Sequence, residues 1–185
     1  IENDRITRSC TGVPMSPGRE IAGKTIGVIG LGAIGQRTAK LAQAFGCNVI
    51  AWNRTPRIVA GVTIVDKETL FKEADIVTIH IALNDETRDF VTAKELALMK
   101  RSSIIVNAAR GPIVNAQDLS DALKEGRISG AALDVYDVEP PLDSNNPMLD
   151  APNTILLPHI GFATKEAFEL RLGIVVNNVE QFCKQ

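Results

Sequence analysis

Two histidines are all that the 185 residues carry, and both fall at the end of an apolar run. His159 stands in Pro158-His159-Ile160-Gly161, after a rigid Pro and before a flexible Gly, a setting that holds an imidazole at the mouth of a cleft. Glu139, from a loop rich in Pro, Asp and Asn, could pair with it and keep it ready to give a proton. Arg110 follows another apolar run, Ser103 to Asn107, and a planar guanidinium there suits a bidentate grip on a carboxylate. The rest of the chemistry lies in Gly30-Leu31-Gly32-Ala33-Ile34-Gly35, a G-x-G-x-x-G set directly behind an apolar run. Gly30 allows a tight turn, Gly32 lets backbone approach phosphate, and Gly35 lets a following helix lie close to the sheet. The N–H groups at the start of that helix, Ala33 and Ile34 among them, then face the pyrophosphate of a dinucleotide.

Which dinucleotide is bound depends on the end of the next apolar run, Asn48 to Trp52. A dinucleotide fold normally places an Asp or Glu about twenty residues past the glycines, where it binds the ribose 2′-hydroxyl of NAD. Here Asn53 and Arg54 occupy that place. A carboxylate would repel a 2′-phosphate, whereas Arg54, with Arg57 nearby, could pair with one. The cofactor is therefore read as NAD or NADP, with a lean to NADP. The alternative has Arg54 stacking on adenine or facing water, with Asn53 bonding the hydroxyls of NAD.

These residues need a scaffold, and apolar runs alternating with helical patterns supply one. Ile26, Val28 and Ile29 belong to a strand buried on both faces. Ile34, Thr38, Leu41 and Phe45 recur at helical spacing behind the glycines. Further strands are expected at Asn48 to Trp52, Val62 to Val65, Ile76 to Ile81, Ser103 to Asn107, Gly130 to Val135 and Ile155 to Leu157. Helices begin at an Asp66 cap, at the capping box Thr92-Ala93-Lys94-Glu95, at Asn115 with Asp118, and at Thr164. The expected fold is α/β, a doubly wound parallel sheet of about seven strands. In such a sheet ligands lie beyond the carboxyl ends of the strands. Those ends carry the glycines, Asn53 and Arg54, His80, Asn107 and Arg110, Asp134 and His159.

Composition agrees with a globular domain, 45% hydrophobic and 23% charged. A net charge of −2 gives no reason to expect nucleic acid or an anionic membrane as partner. No apolar run approaches a membrane span and the first residues do not resemble a signal peptide, so a cytoplasmic address is expected. Cys10, Cys47 and Cys183 are odd in number and widely spaced, which indicates neither a disulfide framework nor a metal site. Residues 1–22 lack periodicity and read as an arm or interdomain linker. Residues 23–163 form the dinucleotide-binding unit, and 164–185 a C-terminal helix.

The runs GKTIGVIGLGAIGQ, VNAARGPIVN, GAALDVYDVEPP and LLPHIGFAT resemble those of the D-2-hydroxyacid dehydrogenases, over Gly23 to about Ala167. The resemblance implies hydride transfer between a nicotinamide cofactor and a small 2-keto or 2-hydroxy acid: hydroxypyruvate or glyoxylate first, phosphoglycerate second. Arg110 would bind the substrate's carboxylate and keto oxygen, His159 would be the acid/base, and Glu139 its partner. Asp134 would meet the nicotinamide carboxamide, with Asn107 and Ala108 along the nicotinamide end. Ala82 stands where family members usually have Pro. The family also has a substrate-binding domain built mostly from about a hundred N-terminal residues absent from this chain. The 185 residues are thus expected to bind cofactor with little or no turnover, and the whole protein to form a homodimer. The rival from another class is an NAD(H)-sensing corepressor or scaffold of the same fold. Formate dehydrogenase, in which the His partner is Gln, is disfavoured by Glu139, and an unrelated Rossmann protein by the order of the motifs.

Overall fold

The computed structural model describes residues 18–55, 57–139 and 143–184. Seven parallel strands form one sheet: β1 Thr25–Ile29, β2 Asn48–Trp52, β3 Val62–Ile64, β4 Ile76–Ile79, β5 Ile104–Asn107, β6 Gly130–Leu133 and β7 Thr154–Leu156. Their order is β3-β2-β1-β4-β5-β6-β7, so the chain reverses its direction of travel across the sheet between β1 and β4. Loops leaving those two strands part there, which opens a crevice at their carboxyl ends.

Strand periodicity sorts the core into two layers. Ile29 of β1, Ile50 of β2 and Val77 and Ile79 of β4 face a large apolar cluster. That cluster is closed by Leu70 and Phe71 of α2 (Lys67–Glu73), Leu96 of α3 (Ala93–Leu98) and Leu119, Ala122 and Leu123 of α4 (Ala116–Lys124). Ile26 and Val28 of β1 and Val49 and Ala51 of β2 point the other way, toward Ala39 of α1 (Ala33–Ala44). Phe71 is fully buried, and its truncation to Ala would cost about 3–5 kcal/mol.

Each helix start follows from a local hydrogen bond. Asp66 accepts from the Thr69 N–H at 2.8 Å, Asn115 from Asp118 at 3.1 Å, and Thr164 from Ala167 at 3.1 Å. At α3 the Thr92 and Glu95 side chains serve each other's backbone in a full capping box. Glu95 is buried, which opposes its ionisation, but Lys67 at 3.0 Å and the Thr92 contacts outweigh burial and hold its carboxyl below the usual range.

The structure corrects the apolar spacing on α1. Ile34, Leu41 and Phe45 are 62–69% exposed, and the buried side of the helix holds Gly35 and Ala39. Close approach is the cause: a Cβ on Gly35 would lie 1.9 Å from the Gly30 carbonyl oxygen. A helix seated that near the sheet leaves room beneath it only for small side chains. The last helix, α5 (Lys165–Cys183), has no buried residue at all. Four strands also stop short of the apolar run that announces them, β3 at Ile64 and the three that feed the cleft, β4 at Ile79, β6 at Leu133 and β7 at Leu156. Beyond the last three points the chain turns into the cleft. Among the described residues, no helix is long and apolar enough to cross a membrane. The arm expected over residues 1–22 lies largely outside the described residues, as does Cys10; Cys47 is a buried free thiol and Cys183 an exposed one.

Candidate active site

At the switch point the glycine loop is pinned from three sides through Leu31. Its N–H donates to Asn53 Oδ1 at 2.8 Å, and its carbonyl accepts from Gln36 Nε2 at 2.9 Å and Arg57 Nη1 at 3.0 Å. Gly30 has φ +96°, and a Cβ there would meet Ile81 Cγ2 at 2.8 Å and the His80 carbonyl oxygen at 2.9 Å. Gly32, by contrast, faces open space. It caps α1 without a side-chain hydrogen bond, and no acidic residue occupies the first turn. Ala33 and Ile34 therefore present backbone N–H groups and the positive end of the helix dipole toward the cleft.

A cavity of about 420 Å³ lies beside this loop, lined by Gly30, Gly32, Trp52, Asn53, Arg54 and His80 among others. Trp52, tilted against Phe90 at 4.8 Å between ring centroids, gives it an aromatic wall. His80 is mostly buried, and burial lowers its pKa, so it stands as a neutral imidazole with Nε2 3.0 Å from Thr78 Oγ1. An uncapped helix start, a close-packed glycine turn and an adjoining cavity fit a dinucleotide held by its pyrophosphate and adenosine. Two contacts set the roles of the residues after β2. The Asn53 amide is committed to backbone, accepting from Leu31 and donating to the Thr55 carbonyl. Arg57 is engaged by the glycine loop, so Arg54 is the arginine that lines the cavity.

The second group of residues gathers past β5, β6 and β7. Asn107 is buried and shapes the loop carrying Arg110, its Oδ1 accepting from Ala109 N at 3.0 Å and its Nδ2 donating to the Arg110 carbonyl at 2.9 Å. Ala108 is exposed on the same loop. Gly111 then packs against the next loop so tightly that a Cβ would come within 2.0 Å of the Tyr136 carbonyl carbon. Glu139 accepts the Tyr136 N–H with Oε1, while its Oε2 bonds His159 Nδ1. With Nδ1 serving the carboxylate, Nε2 is the nitrogen left for a ligand. Burial raises the Tyr136 pKa, and the neighbouring Asp134 and Glu139 charges add to the shift. A second cavity, of about 480 Å³, runs along Tyr136, Glu139, Leu157, Pro158, His159 and Phe162.

His159 has φ +54°, a left-handed conformation rare outside glycine. Asp134, itself buried, holds it there: Oδ1 accepts the Ile160 N–H at 2.8 Å and Oδ2 the Gly161 N–H at 2.7 Å. A Cβ on Gly161 would lie 2.8 Å from that Oδ2, so a side chain there would have to displace the carboxylate. The sequence placed Asp134 in the cleft but gave no sign of this clamp, because its partners lie 26 and 27 residues away. Arg110 is exposed, donates Nη1 to the Ala109 carbonyl at 2.6 Å, and shows no contact with Glu139 or His159 among the described residues. One strand, β6, separates the strands that carry Arg110 and His159, which sets them about 10 Å apart at the sheet. That spacing leaves room for a small molecule between a guanidinium and an imidazole. Among the residues lining the first cavity that local patterns did not single out are Trp52, Glu86, Thr87 and Phe90, the last three from the loop after β4. No cluster of His, Cys, Asp and Glu able to hold a metal exists among the described residues.

Comparison with known proteins agrees with this geometry. Residues 4–161 match the family described as D-isomer specific 2-hydroxyacid dehydrogenase, NAD binding domain. A D-3-phosphoglycerate dehydrogenase of Methanocaldococcus jannaschii is 46% identical over 89% of this chain and 32% of its own length. A glyoxylate reductase of Thermococcus litoralis is 43% identical over 90% of this chain and 51% of its own. Among solved structures, an acyclic imino acid reductase in complex with NADPH and D-arginine superposes with a TM-score of 0.86 at 35% identity, covering 100% of this chain and 59% of that one. The chain spans about a third to a half of the length of these curated relatives. With its seven-stranded parallel sheet, its glycine turn at the switch point and this match over most of its length, the chain belongs to the D-2-hydroxyacid dehydrogenase family and forms its NAD-binding domain.

Proposed function

We propose that the protein to which this domain belongs transfers hydride between a nicotinamide cofactor and a small 2-keto or 2-hydroxy acid, hydroxypyruvate or glyoxylate first and phosphoglycerate second. One observation carries the reading: the Glu139 carboxylate bonds His159 Nδ1 past the carboxyl ends of the parallel strands, the same end of the sheet as the glycine loop. The bound cofactor supplies the hydride for reduction and accepts it in oxidation. His159 Nε2 gives its proton to the carbonyl oxygen as the carbonyl carbon is reduced, and takes it back in the reverse direction. Glu139 fixes the tautomer and stabilises the imidazolium. Arg110 pairs with the substrate carboxylate and polarises the keto oxygen. Proton transfer of this kind is worth about 10²- to 10⁴-fold in rate.

Gly30, Gly32, Ala33, Ile34 and Gly35 hold the pyrophosphate, His80 and the Asn53-Arg54 pair the adenosine side, and Asn107, Ala108 and Asp134 the nicotinamide end. Asp134 has lone pairs to spare beyond its two backbone donors, so it can serve the carboxamide while it holds the His159 loop. Arg54 at the cavity favours NADP over NAD. Residues 1–22 are the arm or linker, 23–163 the coenzyme domain, and 164–185 a helix that serves the rest of the protein. The absence of any buried residue on α5 supports that last assignment. The exposed Ile34, Leu41 and Phe45 support a two-fold contact through this domain. By themselves the 185 residues bind cofactor with little or no turnover.

The test is to assay the native full-length protein against a panel of 2-keto acids with NADH and NADPH. Reduction of hydroxypyruvate or glyoxylate is expected, faster with NADPH. Absence of turnover with every acid, together with cofactor-dependent self-association, would replace the enzyme by a cofactor sensor.

A further inference from the structure

We propose that Glu86 tunes the preference between NADP and NAD, by holding Arg54 at the cavity and competing with a ribose 2′-phosphate for its guanidinium. The inference rests on the reading that the glycine loop holds a dinucleotide. Near the end of β2, Arg57 donates to the Leu31 carbonyl outside the cavity lining, and the Asn53 amide bonds Leu31 and Thr55. Arg54 remains, and its Nη1 lies 2.9 Å from Glu86 Oε2. Both side chains line the same cavity as Gly30, Gly32 and Trp52. Recognition of the adenosine side is thus shared between the loop after β2 and a loop that arrives 32 residues later, after β4.

The backbone that presents Glu86 is held in place. Asn84 Oδ1 accepts the N–H groups of Glu86 and Thr87, each at 3.0 Å. Thr87 Oγ1 donates to the Ala82 carbonyl at 2.7 Å. The carboxylate itself is free to move, since the two side chains are 71% and 74% exposed. A dinucleotide with a bare 2′-hydroxyl leaves the pair intact. A 2′-phosphate brings up to two negative charges, attracts Arg54 away from Glu86 and repels the carboxylate left behind. An exposed pair yields easily, so Glu86 tunes the preference and does not forbid either cofactor. Its removal should tighten NADPH binding by about three- to ten-fold, the scale of one exposed ion pair together with one relieved repulsion.

The experiment uses Glu86→Gln in the full chain, with NADPH and NADH affinities read from the emission of the reduced nicotinamide. Calorimetry with adenosine 2′,5′-bisphosphate and adenosine 5′-phosphate isolates the adenosine side. The expected result is tighter binding of NADPH and of the bisphosphate, with NADH and the monophosphate unchanged. The gain should shrink as salt is raised and vanish in an Arg54→Gln background. Equal shifts for both dinucleotides, no shift for either, or a gain that survives the loss of Arg54 would overturn the role of Glu86 and leave the dinucleotide site standing. Failure of the unsubstituted protein to bind any of the four ligands would overturn that site and this inference together.

Discussion

Asp134→Asn isolates the contact that keeps His159 in its unusual conformation. The two carboxylate oxygens accept from Ile160 and Gly161 at 2.8 and 2.7 Å, and the residue is only 6% exposed, so water does not substitute for it. Asn keeps the shape and one acceptor but turns the other atom into an NH2 group facing a backbone N–H. A hydrogen bond to a charged group contributes about 1.5–3 kcal/mol. The left-handed backbone at His159 (φ +54°) already opposes loop closure by about 1–2 kcal/mol, so little reserve remains once that bond is lost. Opening of the loop should therefore become about 10- to 150-fold more frequent. Amide hydrogen exchange reads this directly: protection at Ile160 and Gly161 should fall by that factor while Val77 and Ile105, buried in β4 and β5, keep theirs. Unchanged protection at Ile160 and Gly161 would refute the clamp. An equal loss across the sheet would show that Asp134 supports the whole fold and has no special hold on His159.

Other outcomes follow from single contacts. Gly35→Ala would drive a Cβ to 1.9 Å from the Gly30 carbonyl oxygen, so α1 must lift from the glycine turn. Calorimetric titration should show dinucleotide affinity falling at least about tenfold, with a stability loss of about 1–3 kcal/mol in denaturant melts. His80, whose pKa burial lowers, makes stability depend on acid. Below pH about 6.5 the unfolded chain takes up a proton that the folded chain declines, so stability falls with pH until the lowered folded value is reached and is flat above that window. Denaturation of His80→Gln across the same pH range should lack this segment of slope.

The elements were legible wherever the signal is local. Asp66, Thr92 with Glu95, Asn115 and Thr164 all cap helices because a capping side chain and its N–H lie within three residues. The glycine turn and the pairing of Glu139 with His159 were also legible, since few ionisable groups stand at strand ends. What escaped is non-local. Nothing near Arg54 announces Glu86, and nothing near Asp134 announces Ile160 and Gly161. The spacing of Ile34, Leu41 and Phe45 identified a helix but not its buried face, because the close approach at Gly35 turns small residues inward. Apolar runs likewise overstated β4 and β6, whose last residues belong to the cleft and follow its geometry.

The most direct test of the account is His159→Ala in the native full-length protein, measured for reduction of hydroxypyruvate and for cofactor affinity side by side. Turnover should fall by about 10²- to 10⁴-fold while cofactor affinity stays nearly intact, because the imidazole moves a proton and the glycine loop holds the dinucleotide. Turnover within about tenfold of the unsubstituted protein, well short of a lost general acid, would contradict the account. So would a loss of cofactor affinity as large as the loss of rate, which would give His159 a structural role.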